Sequence, residues 1–372
     1  MLERLQIQNF TVFAKAEFNF SPGLNIIIGT NGSGKSHVLK LGYMVSRTGA
    51  FMVGNELLVY DIHNWQNQLA IGLKEVFQPE ELGKLVRRGA KKSSAEVQVD
   101  FHKDVDTNGP SAKVNFTFTA SAKQPVVSGK QPVNVLRFPA ESELEDIELS
   151  SPVFIPPKEV LTMSWMLAQH ELRKIPLDIT YPQLLRLLNQ APLRKIVPAA
   201  TKALTEIEAL LGGRVEEEGG KFYLVPSKGE RQEMNLVAEG IRKFGMLEKL
   251  LRNGSLGPYT TLYWDEPESN LNPALLRKLA SLLAELAKAG FQIILATHSL
   301  FLLKEFHILS RKKDCQPLPI RYFGLDAPAG KPTSVVAKDD FELLPNIVAL
   351  DEELEQADEL TLVFAQDDAH HN

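Results

Sequence analysis

The chain holds 372 residues, 44% hydrophobic and 23% charged, with a net charge of −5 and one cysteine, Cys315. That is enough chain for one large α/β domain or two lobes sharing a sheet, and the charge gives no global drive toward nucleic acid or an anionic membrane, although a local basic face stays compatible with it. A lone cysteine excludes an internal disulfide framework and fits a reducing cytoplasm.

The opening Met1-Leu2-Glu3-Arg4 lacks the charged-then-apolar pattern of a secretory leader. The stretch 291–303 is apolar but too short to cross a membrane and contains His298, so no membrane association is expected. Residues 2–10 and 14–20 alternate apolar and polar, and Ser21-Pro22-Gly23 turns the chain into the next strand, which predicts a small β-meander. Between the first two strands, Thr11-Val12-Phe13 reads as an adenine-side contact or as a simple turn.

An apolar run, Leu24-Asn25-Ile26-Ile27-Ile28, then leads into Gly29-Thr30-Asn31-Gly32-Ser33-Gly34-Lys35-Ser36-His37. Helical spacing follows, at Val38, Leu41 and Val45. Strand, glycine-rich loop and helix in this order are the context of a phosphate-binding P-loop. The glycines let successive N–H groups point at a β-phosphate, and the helix N-terminus adds its positive dipole end. Lys35 would reach the β- and γ-phosphates, and the Ser36 hydroxyl would hold Mg²⁺. The alternative is a Gly/Ser-rich loop carrying a surface lysine, which the spacing and flanks disfavour.

Residues 51–92 read as mixed and mostly helical, ending in the basic run Lys84, Arg87, Arg88, Lys91 and Lys92. Such a run is either a solvated helix face or a contact for a phosphate backbone or a partner. Period-two alternation at 96–101 and 113–120, separated by the turn-rich 104–110, predicts a hairpin. Two more strands are expected at 133–138 and 153–155, completing a largely antiparallel first lobe. From 160 to 211 the pattern is helical but broken by Pro176, Pro182, Pro192 and Pro198, and no heptad repeat supports a long coiled coil. Met163, Trp165, Met166 and Leu167 read as the buried side of one of these helices, with a partner-binding patch as the alternative. Residues 212–226 predict a hairpin turning at 216–220.

Thr261-Leu262-Tyr263-Trp264 is a buried-strand run ending in Asp265-Glu266-Pro267-Glu268. Acids at the carboxyl end of an apolar strand are where an α/β sheet places its ligand contacts. Asp265 would hold Mg²⁺ through water, and Glu266 suits a general base that polarises an attacking water. A helix cap or turn is the other use of two such acids. Asn272 is expected to cap a helix begun by Pro273, with leucines at 275, 276, 279, 282, 283 and 286 and Gly290 closing it. A strand at 292–296 delivers Thr297-His298-Ser299, where His298 is either structural or a γ-phosphate sensor. Closing strands are expected at 320–325 and 334–337, and 351–368 as an acidic helix and tail.

These pieces in this order resemble the ABC-type ATPases of the SMC/RecF/OLD group, especially short stand-alone members found in bacterial defence operons. The residues that carry the resemblance are the opening strands with Asn9-Phe10-Thr11-Val12-Phe13, the stretch Gly29 to Ser36, Val237-Ala238-Glu239-Gly240-Ile241, the run from Tyr263 to Pro273, and the run from Leu295 to Leu303. The resemblance implies an α/β, two-lobed head with a mixed sheet around the P-loop, an antiparallel β subdomain and a short helical insertion. The expected division is an N-terminal lobe at 1–158, the insertion at 159–211, and a C-terminal lobe at 212–372.

It further implies ATP and Mg²⁺ as ligands, hydrolysis of ATP, and a homodimer or higher even oligomer with nucleotides sandwiched between heads. Glu239 and Gly240 would then face the γ-phosphate bound by the opposite head. The sequence departs from the family pattern at Ala238, where serine is usual, and at Asn272, where aspartate or histidine is usual, and no glutamine marks a Q-loop near 154–159. Gln78 is an alternative position for it. The departures at Ala238 and Asn272 leave open a binding module that never hydrolyses ATP, which Glu266 and His298 argue against; two further functions are compatible with the resemblance. One is a cytoplasmic switch that controls a nuclease or toxin from the same operon in anti-phage defence. The other is a RecF-like repair or maintenance ATPase that places Lys84 to Lys92 and Arg311-Lys312-Lys313 on duplex DNA.

Overall fold

The computed structural model of the chain describes residues 1–54, 62–89, 94–101, 112–121, 152–173, 175–258, 260–312 and 317–345, with Gln356 and Glu359. Lys91, Lys92, Lys313, Cys315, the linker 104–110, the expected strand 133–138 and all but two residues of 351–368 lie outside them.

β1 (Leu2–Phe10) and β2 (Phe13–Asn19) form the expected opening hairpin, closed by a turn in which Thr11 takes φ 49°. β3 (Leu24–Gly29) leads through the glycine loop into α1 (Lys35–Gly54), followed by α2 (Ile62–Phe77) and a 3₁₀ turn at Leu82–Leu85. β4 (Ser94–Phe101) and β5 (Ala112–Thr119) pair antiparallel, and with β1 and β2 they make a four-stranded sheet in the order β2-β1-β4-β5.

β6 (Val153–Ile155) corrects the sequence reading. It does not join the antiparallel sheet but pairs parallel with the strand that ends in Asp265. α3 (Trp165–Arg173), α4 (Thr180–Leu188) and α5 (Thr201–Leu211) are the short helices of this stretch; Pro182 does not break one but sits in the first turn of α4, where a missing N–H costs no helical hydrogen bond. α3 buries none of its residues; Trp165 is 63% exposed and Leu172 82%, while Met166 and Leu167 are half-buried against the core. The expected buried face is therefore only partly formed. Trp165 lies on the first turn and points away from the side that packs.

β7 (Gly213–Glu218), β8 (Lys221–Pro226) and β9 (Gln232–Glu233) form a small sheet whose first turn is Gly219-Gly220, both at positive φ. α6 (Glu239–Arg252), β10 (Thr261–Asp265), α7 (Pro273–Lys288), β11 (Gln292–Thr297), α8 (Leu300–Arg311), β12 (Ile320–Asp326) and β13 (Ser334–Lys338) complete the described chain.

The central sheet has six strands in the order β13-β12-β3-β11-β10-β6, parallel except for β13. It draws strands from both ends of the sequence. Helices and the second sheet cover both of its faces, so its strands are continuously apolar rather than alternating. Side-chain alternation still divides the core. Ile26, Leu262, Trp264, Ile293, Leu295 and Tyr322 pack toward α4, α5, α6 and α7. Ile27, Tyr263, Ile294, Ala296 and Phe323 pack toward α1 and the antiparallel sheet. One buried side chain stitches the two sheets together. The Gln292 amide accepts from the Leu2 N–H at 2.9 Å and the Thr261 hydroxyl at 2.8 Å, and donates to the Leu2 carbonyl at 2.7 Å.

Candidate functional site

The site forms at the carboxyl ends of β3, β11 and β10, neighbours in the parallel sheet. Register aligns Ile28 with Thr297 and Ala296 with Asp265, so the glycine loop, His298 and the acidic run leave the sheet side by side. Convergence of this kind at parallel strand ends is where α/β sheets take ligands.

Gly29 ends β3; Thr30, Asn31 and Gly32 are exposed at the loop crest, and Ser33 is buried. Gly32 and Gly34 take φ of 79° and 99°, left-handed values that aim successive N–H groups inward. A Cβ on Gly34 would lie 2.6 Å from Val12 and 2.8 Å from Phe13, so the β1–β2 turn is the floor of the loop. Lys35 folds back to donate to the carbonyls of Gly29 at 2.8 Å and Thr30 at 3.0 Å. Burial lowers its ammonium from the usual lysine range, while Glu266, Asp265 and Glu268 pull it the other way. His37 is half-buried against the Phe77 ring, its Nδ1 without a partner, and burial lowers the imidazole.

Asp265 is buried at the end of β10. Burial pushes its carboxyl up to about 6, although the Ser36 hydroxyl hydrogen-bonds it and Lys40 and Lys35 favour the charge. Its Oδ1 is buried without a hydrogen-bond partner, as is the Ser33 hydroxyl. A hydroxyl and a desolvated carboxylate with a free oxygen, side by side, are the hard oxygen donors that Mg²⁺ takes, so these residues fit the ion. Glu266 follows in the left-handed region at φ 48°, its N–H held by the Ala296 carbonyl at 2.9 Å.

His298 is 52% exposed, with Nδ1 3.8 Å from Glu266 Oε1 and 3.5 Å from Glu268 Oε1. The lysine, the two acids and the histidine singled out from the sequence thus meet at one end of the parallel sheet. Ser299 caps α8 behind them, accepting from the Leu302 N–H at 3.2 Å.

Glu239 and Gly240 lie elsewhere on the same chain, at the first turn of α6 and against the loop that follows Glu268. A Cβ on Gly240 would meet the Asn270 carbonyl and the Leu271 side chain at 3.0 Å. Asn270, at φ 61°, donates its amide to Glu239 at 2.7 Å. Asn272 does what its position predicts, accepting from the Leu275 N–H at 2.9 Å as cap of α7.

Three participants were not singled out from the sequence. Glu268 is buried and accepts from the Thr297 hydroxyl at 2.7 Å and the His298 N–H at 3.0 Å. Lys243 on α6 is buried and donates to the Pro267 carbonyl at 3.2 Å. Glu159, just beyond β6, is buried and pairs with Arg242 at 3.0 Å, linking the stretch that lacks a Q-loop glutamine to the first turns of α6. Each was visible only as a charge out of place: a third acid after Pro267, an acid just after a buried strand, and a base on the buried arc of a helix.

The chain matches the family described as "AAA domain, putative AbiEii toxin, Type IV TA system" over residues 24–304, and one described as "AAA domain" over 4–40. It is 30% identical over 71 residues to the DNA replication and repair protein RecF of Limosilactobacillus reuteri (strain DSM 20016), covering 19% of this chain and 18% of that protein. The RecF of Streptococcus uberis (strain ATCC BAA-854 / 0140J) is 28% identical over 100 residues, 25% of this chain and 28% of the relative. The matched segment is thus under a third of either curated relative. Among solved structures, the SMC head bound to the C-winged helix domain of ScpA superposes with a TM-score of 0.53 at 15% identity, covering 92% of this chain and 98% of the other. The SMC head domain from Thermotoga maritima gives 0.50 at 15% identity, covering 91% and 98%. These likenesses establish the fold.

Proposed function

This chain belongs to the family described as "AAA domain, putative AbiEii toxin, Type IV TA system" and has the fold of an SMC head, and from that premise we propose that it is an SMC/RecF-like ABC-type ATPase that works as an ATP-driven switch. Two heads close on two nucleotides, hydrolysis reopens them, and a partner protein reads the state. The observation that carries this reading is the meeting of Lys35, Ser36, Asp265, Glu266 and His298 at adjacent strand ends.

Lys35 would exchange the Gly29 and Thr30 carbonyls for the β- and γ-phosphates. Bound Mg²⁺ would neutralise charge on those phosphates, held by Ser36 and through water by Asp265. Glu266 orients and deprotonates the attacking water, and His298 meets the γ-phosphate. The first turn of α6, with Glu239 and Gly240, offers N–H groups and a dipole end to the nucleotide of the opposite head. A near-complete reversal between open and closed states needs about 5.5 kcal/mol of differential binding, and a γ-phosphate held from both sides is a reasonable source. The family description names a type IV toxin–antitoxin system, and on that ground we take the reader of the switch to be a toxin or nuclease effector acting with this chain in bacterial defence, in the cytoplasm. Among the described residues no helix is long and apolar enough to cross a membrane.

The RecF relatives support a second reading, a repair ATPase on duplex DNA. Lys84 in the 3₁₀ turn and Arg88 just after it are exposed and would contact the backbone. That reading predicts DNA binding that ATP strengthens and that weakens with log salt by about 0.9 per phosphate contacted.

The direct test is Mg-ATP turnover by the wild type and Glu266→Gln. Turnover should fall by about 10²-fold or more with nucleotide still bound. A Glu266→Gln protein that turns over ATP at the wild-type rate would contradict the assignment.

A further inference from the structure

Glu268 is buried beside His298. Its Oε1 is pinned by two donors, the Thr297 hydroxyl at 2.7 Å and the His298 N–H at 3.0 Å, and lies 3.5 Å from His298 Nδ1. Thr297 is itself fixed, its hydroxyl accepting from the Ser299 N–H at 3.0 Å at the cap of α8. The other oxygen, Oε2, is buried without a hydrogen-bond partner. Leaving a buried carboxylate oxygen unpaired is costly, and capping Thr297 and His298 alone would need only a neutral acceptor.

The Lys243 and Lys35 ammoniums attract that charge, and the geometry around the ring gives the carboxylate a further use. Both acids lie on the Nδ1 side of His298, and an ionised carboxylate only accepts, so together they select the tautomer with hydrogen on Nδ1. Of the two, Glu266 is half-buried and must turn toward water in the proposed reaction. Glu268 is buried and held in place. When Glu266 leaves the ring, Glu268 remains. Nε2 is then the ring nitrogen left to meet a phosphate oxygen.

We propose that Glu268 is a positioning residue that fixes the orientation and tautomer of the His298 ring; this rests on the reading of His298 as the γ-phosphate contact. It does not touch nucleotide. Its loss should therefore lower turnover while leaving the concentration of ATP needed for half-saturation nearly unchanged.

The test uses full-length protein with ring-¹⁵N-labelled histidine, whose eight histidines keep the spectrum readable. Long-range ¹H–¹⁵N correlations at alkaline pH report the tautomer, and the His298 signal is assigned as the one lost in His298→Asn. The wild-type ring should carry hydrogen on Nδ1; the tautomer of the variants is read in a Glu266→Ala background, which removes the other acid from the Nδ1 side, and there Glu268→Ala should lose that preference. Glu268→Gln, which keeps an acceptor oxygen, should retain it. In parallel, with Glu266 in place, kcat for ATP should fall by about 10²-fold in Glu268→Ala, with KM within a fewfold, and Glu268→Gln should recover most of the loss. A wild-type ring with hydrogen on Nε2 overturns the proposal without reference to any variant. So does an unchanged tautomer when Glu268→Ala is added to Glu266→Ala in a folded protein. An Nδ1–H ring lost there, in a protein whose wild type hydrolyses no ATP, upholds the positioning role and sinks only the catalytic reading it serves.

Discussion

The Lys243 ammonium lies 3.2 Å from the Pro267 carbonyl oxygen and so fastens α6 to the backbone just beyond Glu266. The same nitrogen is 3.5 Å from the carbonyl of Glu266, a residue in the left-handed region at φ 48°. A helix whose first turn would face the opposite nucleotide is thereby tied to the strand end that would activate water.

Burial pushes the Lys243 ammonium down to about 8, against the pull of Glu268, Glu239, Glu266 and Glu159. The folded-state value lies below the ordinary 10.5, so between about 8 and 10.5 the unfolded chain holds more protons than the folded one. Stability contributed by this residue therefore rises with pH across that window, and the burial penalty is full below it. Relative to Lys243→Met, the wild type should gain up to about 1.4 kcal/mol per pH unit above pH 8. Urea unfolding of both proteins at about pH 7.5, 8.5 and 9.5, values that bracket the folded-state titration, checks this, and a constant difference would contradict it.

The two left-handed glycines of the P-loop should respond differently to alanine. Gly32 has open space where a Cβ would go, so Gly32→Ala carries only backbone strain of about 1–2 kcal/mol. Gly34→Ala adds a clash with Val12 and Phe13, at 2.6 and 2.8 Å, and should be the more destabilising and should abolish nucleotide binding. Thermal unfolding with a fluorescent ATP analogue ranks the pair.

Ala238 is the N-cap of α6 and offers no side-chain hydrogen bond to the helix start. Its extended backbone, φ −56° and ψ 137°, is one a serine cap adopts. Ala238→Ser should stabilise the protein by about 0.5–1 kcal/mol and strengthen ATP-dependent association, since the added hydroxyl stands where the opposite phosphate would arrive. Denaturant midpoints and sedimentation with Mg-ATP read the two effects separately.

Much of the candidate site is legible in the sequence because its parts are local. The P-loop is a strand, a glycine turn and a helix within about thirty residues, and Asp265-Glu266 and His298 sit at the ends of strongly apolar strands. The order of those strands was not legible. β6 is three residues long, and its partner β10 begins more than a hundred residues later, so no local pattern could assign it to the parallel sheet. Glu268, Lys243 and Glu159 escaped for a similar reason. Their meaning lies in contacts with Thr297, Pro267 and Arg242, each set by packing rather than by spacing. Trp165 shows the converse error. An apolar cluster at the start of a short helix predicts a buried face, yet the helix ends before it can present a continuous face to the core.

The central claim is that ATP closes two heads on each other. Light scattering on Glu266→Gln, with and without Mg-ATP, tests it most directly, because that variant should hold nucleotide without consuming it. A monomer mass that doubles only with Mg-ATP, and fails to double when Ala238→Asp places a like charge before the facing phosphate, is the result predicted here. An unchanged mass with nucleotide demonstrably bound would contradict it.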